Sequence, residues 1–161
     1  MIRLLLLVTL PLYLADQLTK WLVLARVGQY DSIPVIPGFF NIVHVYNTGA
    51  AFGMMKDNNL FFMVISCLAL VIIGVLCCRK AFADPLSRIA AAFLVSGILG
   101  NLTDRILHGH VVDFLDFILP WYGHWPAFNI ADSCIFIAAG LFILSSLLDG
   151  KRAPNAQGST L

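Results

Sequence analysis

Two aspartates carry the chemistry this sequence is best equipped to perform. Asp132, in "FNIADS", sits near the start of an apolar run from Ala127 to Leu148. Asp113 and Asp116 stand three residues apart in "HVVDFLDF". Two carboxylates in one site cannot both ionise cheaply, so one keeps a proton while the other acts as a base. Such a pair activates a water against an amide carbonyl, polarises that carbonyl with its protonated member, and titrates as a unit. Spacing alone does not choose between Asp113 and Asp116 as the partner of Asp132. Other chemistries are poorly supplied. Ser133 adjoins Asp132 but no GxSxG surrounds it, and no Cys–His pair is suggested. His44, His108, His110 and His124 include an "HGH", a weak metal signal with no HExxH or Cys/His set beside it, so neither metal nor cofactor is expected.

The elements that must position these residues belong in a bilayer. Of 161 residues, 60% are hydrophobic and 12% charged, against about 25% charged in a soluble domain. All nine acids are aspartate, and the net charge of +1 gives no electrostatic case for nucleic acid. The four cysteines lie in apolar runs without a CxxC spacing and read as packing residues. Spanning helices need about 20 mostly apolar residues, and four stretches qualify: 4–25, 60–78, 86–103 and 127–148. The first continues through "WLVLA" past a weak cleavage site, so it reads as a retained helix rather than a signal peptide. Basic residues stay in the cytoplasm. Arg3, Arg79, Lys80, Arg88, Lys151 and Arg152 outweigh Arg26, Lys56 and Arg105, which puts both termini inside. The expectation is an all-α membrane protein: four transmembrane helices, a small extracytoplasmic β-rich segment at 26–59, and a short extracytoplasmic loop/helix at 104–126. Residues 1–152 form one domain, and the Pro/Gly/Ser/Gln-rich 153–161 is a disordered cytoplasmic tail.

This topology gathers polar groups at one level, near the outer interface. The first span brings Asp16 and Lys20, the third ends with Asn101, Asp104 and Arg105, and the fourth begins with Asn129 and Asp132. The loops add Asn47 and Asp113, while the second span adds no charge and serves as scaffold. Ionisable groups in a membrane cost at least ~2.5 kcal/mol each unless paired or hydrated, which makes them functional candidates. Plainer roles compete. Asp16 and Lys20, at i and i+4, pair along one helix face. Asp104 marks the water boundary, and Asn101 and Asn129 bond helix to helix. A small proton-coupled transporter is the rival function, although transporters place their site near the midplane, often between repeats that are absent here.

Five segments in order resemble the lipoprotein signal peptidase (signal peptidase II) family: "DQLTK" at 16–20, "YNTGAAFG" at 46–53, "GILGNLTDR" at 97–105, "HVVDFLDF" at 110–117 and "PAFNIADS" at 126–133. The resemblance implies an aspartic endopeptidase of the bacterial inner membrane, without cofactor. It would act on prolipoproteins that carry a diacylglyceryl group on a cysteine, cleaving just before that cysteine. It implies Asp113 rather than Asp116 as the partner of Asp132. It places Asp16, Lys20, Asn47, Gly97, Asn101, Arg105 and Asn129 among the supporting residues, and implies membrane lipids as surroundings, globomycin as an inhibitor and a monomeric enzyme. The small "NTGAAFG" suits close approach to an extended substrate, and Phe39, Phe40 and Phe52 suit either a platform for its lipid or ordinary strand packing.

Overall fold

The computed structural model describes residues 2–49 and 58–150; Phe52 and the tail 153–161 lie outside them. The chain begins as a helical run in three pieces: α1 (Ile2–Leu4), a π-helical turn (Leu5–Thr9) and α2 (Leu10–Arg26). Thr9 at this irregularity donates its hydroxyl to the Ala92 carbonyl at 2.8 Å, which ties the run to a neighbouring helix. Among the described residues three further helices follow: α3 (Asn59–Cys78), α4 (Pro85–His108) and α5 (Ile130–Gly150). Each of these three is long and apolar enough to cross a membrane.

Burial differs sharply among them. On α3, Leu60, Leu68 and Val71 stay more than half exposed, and Ile73 is its buried residue. A helix apolar on all sides yet uncovered by protein is solvated by lipid. By contrast α4 is the central helix, packing along α5 and against α2 and α3. Its small side chains Ala90, Ala91, Ala92, Ser96, Gly97 and Gly100 are buried and let neighbouring backbones approach. At its start, Asp84 accepts from the Leu86 and Ser87 amides at 2.9 and 3.0 Å, and from the Ser145 hydroxyl of α5 at 2.8 Å. These bonds hold the Asp84 carboxyl below the usual carboxylate range. At its end, Gly109 takes the left-handed conformation, φ 76°, and returns its amide to Arg105.

The segment at 104–126 departs from expectation. It is not a loop with a short helix. The helix runs five residues further than expected, to His108, and a long strand follows. The four-stranded antiparallel sheet has the order β1 (Ser32–Ile36), β2 (Phe40–Asn47), β3 (Val111–Leu119), β4 (Gly123–His124). Phe128 adds a bridge to Leu115, and α5 begins only at Ile130, so the helix starts later than the expected span at 127. Between β2 and β3 the ladder passes from Ile42↔Leu115 to Val45↔Asp113, which leaves one extra residue on β2. Such a bulge reverses the facing of everything beyond it. Asn41 and Asn47, six apart, therefore reach opposite sides: Asn41 meets Asp116 and Asn47 meets Asp113.

Close approach along α4 yields a test. A methyl group at Gly100 would lie 2.6 Å from Asp16 Oδ2 and 2.8 Å from the Ala131 Cβ, whereas one at Gly74 would meet nothing within 4 Å. Gly100→Ala is expected to lower stability by about 1–3 kcal/mol, as overpacking does, and Gly74→Ala to leave it at or above wild type. Thermal unfolding in detergent measures both.

Candidate active site

Lys20 organises the polar centre. Its ammonium, on a residue 2% exposed, lies 2.9 Å from Asp16 Oδ2, 2.9 Å from Asp104 Oδ2 and 3.1 Å from Asn101 Oδ1. The i, i+4 pairing of Asp16 with Lys20 is thus present, and it is part of something larger. Asp16 Oδ1 accepts the Ala131 amide at 2.8 Å, satisfying a free N–H in the first turn of α5. Asp104 does not mark a water boundary. It is 2% exposed, and its Oδ2 also accepts the Val112 amide at 3.0 Å. A residue buried beside an ammonium and aimed at a strand has no exposed face to offer water. Gln17, unassigned in the sequence, bonds Asp16, Asp104 and the Gly100 carbonyl at 3.1, 3.1 and 3.2 Å. Its only signal is its place inside "DQLTK".

Asn129 joins the two candidate carboxylates. Its side chain is fully buried just before α5. Its Nδ2 donates to Asp113 Oδ1 at 2.7 Å and to Asn101 Oδ1 at 3.2 Å. Its Oδ1 accepts the Asp132 amide at 2.9 Å, while Asp132 Oδ2 accepts the Asn129 amide at 3.2 Å. This reciprocal pair is a capping box, which places Asp132 at the helix N-terminus where negative charge is favoured. Asn101 Nδ2 donates to Asp132 Oδ1 at 2.7 Å, and Asn47 Nδ2 to Asp113 Oδ2 at 2.9 Å. Asn101 and Asn129 are therefore more than helix-to-helix bonds: each ties a neighbour to a carboxylate. Burial, with the Asp132 charge nearby, pushes the Asp113 carboxyl up to about 7.

Both aspartates line a cavity of about 1130 Å³, together with Asn47, Thr48, Gly49, Trp125–Phe128, Ile135 and Phe136. Asp16, Lys20, Asn101 and Asn129 do not line it and reach the two aspartates through hydrogen bonds. A methyl group at Gly97 would run into the Ala131 carbonyl and the Ile135 side chain. Arg105 reaches the Gly49 carbonyl at 3.3 Å, stacks 5.0 Å over the Phe62 ring, and lies within electrostatic reach of Asp104, Asp113 and Asp132. Its backbone carbonyl accepts from Asn59, so α3 contributes more than inert scaffold. Asp116 is elsewhere, 5% exposed and held by Asn41 and His124. Among the described residues, no group of three or more His, Cys or acidic residues is arranged to hold a metal.

Comparison with known proteins gives the family. A family model described as Signal peptidase (SPase) II matches residues 8–148. The chain belongs to the signal peptidase II family. A lipoprotein signal peptidase from Symbiobacterium thermophilum is 41% identical over 137 residues, covering 85% of this chain and 90% of its own. Another from Syntrophotalea carbinolica is 39% identical over 154 residues, covering 93% and 94%. A solved structure, described as a bacterial membrane enzyme studied in meso at 2.3 Å resolution, superposes with a TM-score of 0.87 at 33% identity, covering 96% of this chain and 94% of that one. The signal peptidase II family is one of proteases, and membership leaves the transporter reading without support.

The position of Asp113 predicts a pH effect. In an unfolded chain an aspartate titrates near about 4, whereas Asp113 in the fold holds its proton to about 7. Between those values the folded chain binds more protons than the unfolded one, so stability falls as pH rises. Its contribution is complete below about pH 4 and is lost through about 7. Wild type is expected to lose melting temperature across this window relative to Asp113→Asn. Melting curves that stay parallel would contradict the assignment.

Proposed function

We propose that this chain is an aspartic endopeptidase that removes signal peptides from diacylglyceryl-modified prolipoproteins, cutting just before the lipidated cysteine. The observation that carries the reading is Asn129, one buried side chain that donates to the Asp113 carboxylate and accepts the Asp132 amide, next to an open, largely apolar cavity that both aspartates line. The names of the relatives support the substrate class. In this reading four helical segments span the bacterial inner membrane. Both termini are cytoplasmic, the sheet lies on the outer side, and the enzyme works as a monomer that globomycin-type inhibitors block.

The reaction follows from the pair. Asp113 keeps its proton to about 7 and donates it toward the scissile carbonyl oxygen. Asp132 takes a proton from water, whose oxygen bonds to the carbonyl carbon. The tetrahedral diol then collapses. Asp132 passes its proton to the leaving amine as the C–N bond breaks, and a diol proton returns to Asp113. Asn47, Asn101 and Asn129 fix the carboxylates in place. Lys20 and Asp16 set the local charge from behind. The Arg105 guanidinium, near both carboxylates, holds carbonyl oxygens of the substrate backbone or lipid ester. A cleavage junction at the end of a membrane-embedded segment requires a carboxylate just inside the lipid, and Asp132 is in the first turn of α5.

A gel-shift assay with purified enzyme in detergent and a lipid-modified prolipoprotein tests the reading. Asp113→Asn and Asp132→Asn are expected to fold and to lose activity by roughly a thousandfold or more, as removal of a group acting only in the transition state does. Asp149→Asn, exposed near the far end of α5, is expected to cleave like wild type. Cleavage by folded Asp132→Asn would overturn the mechanism.

A further inference from the structure

The mechanism leaves one buried carboxylate without a task. Asp116 stands three residues from Asp113 and so on the other face of β3. Asn41, its partner across the ladder, donates to it at 2.7 Å. His124 Nδ1 lies 2.9 Å from each of its oxygens, although the His124 side chain is itself 68% exposed. A buried acid thus reaches the surface through one imidazole.

That imidazole sits beside a gap in the backbone ladder. His124 pairs with Ile118, and the Trp125 amide donates to the Phe117 carbonyl at 2.7 Å. Regular pairing resumes only at Phe128, which exchanges bonds with Leu115 at 3.1 and 2.8 Å. Two residues, Pro126 and Ala127, therefore face the single Asp116, and Pro126 has no N–H to give. The side-chain pair runs from the paired strand β4 to the aspartate that faces the open stretch. Trp125, Pro126, Ala127 and Phe128 are all part of the cavity wall that also contains Asp113 and Asp132. Beyond Phe128 the chain is fixed independently, by Asn129 and the carboxylates it joins.

We propose that Asp116 and His124 are a positioning pair for substrate binding. Their bond tethers Trp125–Ala127 against β3 and so holds one wall of the cavity in shape, while the carboxylate pair keeps its own anchors. The assignment rests on the reading that this cavity receives the prolipoprotein. It separates binding from chemistry: loosening the wall weakens capture of substrate and leaves the reacting groups where they are.

The test compares wild type with His124→Ala, His124→Asn, whose amide nitrogen stands in for Nδ1, and Asp116→Asn, all as the full chain in detergent. Amide hydrogen exchange is expected to quicken in His124→Ala over 125–128 and to stay unchanged over β2 and α5. KM for a lipid-modified prolipoprotein is expected to rise about three- to fivefold, the size of an exposed ion pair, with kcat within about twofold. His124→Asn should restore both readings, and in the Asp116→Asn background His124→Ala should add less than it does alone. Unchanged exchange in His124→Ala, a fall in kcat at constant KM, or no rescue by His124→Asn would overturn the pair's role. A wild type that cleaves no such substrate would sink the functional reading instead, while exchange still decides the tether.

Discussion

A single buried ammonium holds this structure together. Lys20 lies where a bare charge costs several kcal/mol, so it must be surrounded, and each group that surrounds it leads elsewhere. Asp16, on the same helix, goes on to the first turn of α5. Asp104, on α4, goes on to the first residues of β3. Asn101, also on α4, goes on to Asp132. Compensating one cation thereby fixes three helices and the central strand relative to one another, and with them the two carboxylates. The proposed mechanism gives the pair one proton, and the charges around it favour that. Lys20 and Arg105 face Asp16, Asp104, Asp113 and Asp132. Two positive charges meet three negative ones if the pair shares a proton, and four if it does not.

The β2 bulge does for the sheet what Lys20 does for the helices. Without the extra residue between Ile42 and Val45, Asn41 and Asn47 would face the same side. With it, each reaches a different aspartate, and the two faces of β3 take separate work. Asp113 faces the cavity and Asp132, while Asp116 faces the return segment that walls the same cavity. The helices supply depth and the sheet supplies the lateral wall. The site lies at their junction because Asn129 is both the end of the return segment and the cap of α5.

Much of this was legible in the sequence. Apolar runs mark three of the helices to within a few residues at most ends, and the polar residues at their ends meet in one network. The first helix was legible as a run, although its π-helical turn at Leu5–Thr9 leaves no mark in "LLLVT". The strand β3 was not legible. "VVDFLDFIL" is buried on both faces along much of its length, so it lacks the alternation that marks a half-buried strand. Missing the strand had a cost at the site. Three residues apart on a helix, Asp113 and Asp116 share a face; on a strand they do not. Spacing therefore left them equivalent until the resemblance implied one of them. Asp104 was misread for a related reason: its partners Lys20 and Val112 are remote or on that unseen strand.

The central claim is that one proton resides in the Asp113–Asp132 pair, and difference infrared spectroscopy reads it directly. Spectra of wild type minus Asp113→Asn would be followed for the carbonyl stretch of a protonated carboxyl. The account predicts one such band in wild type, fading as pH rises through about 7. A wild type with no protonated carboxyl at about pH 5, where an ordinary aspartate is already ionised, would contradict it.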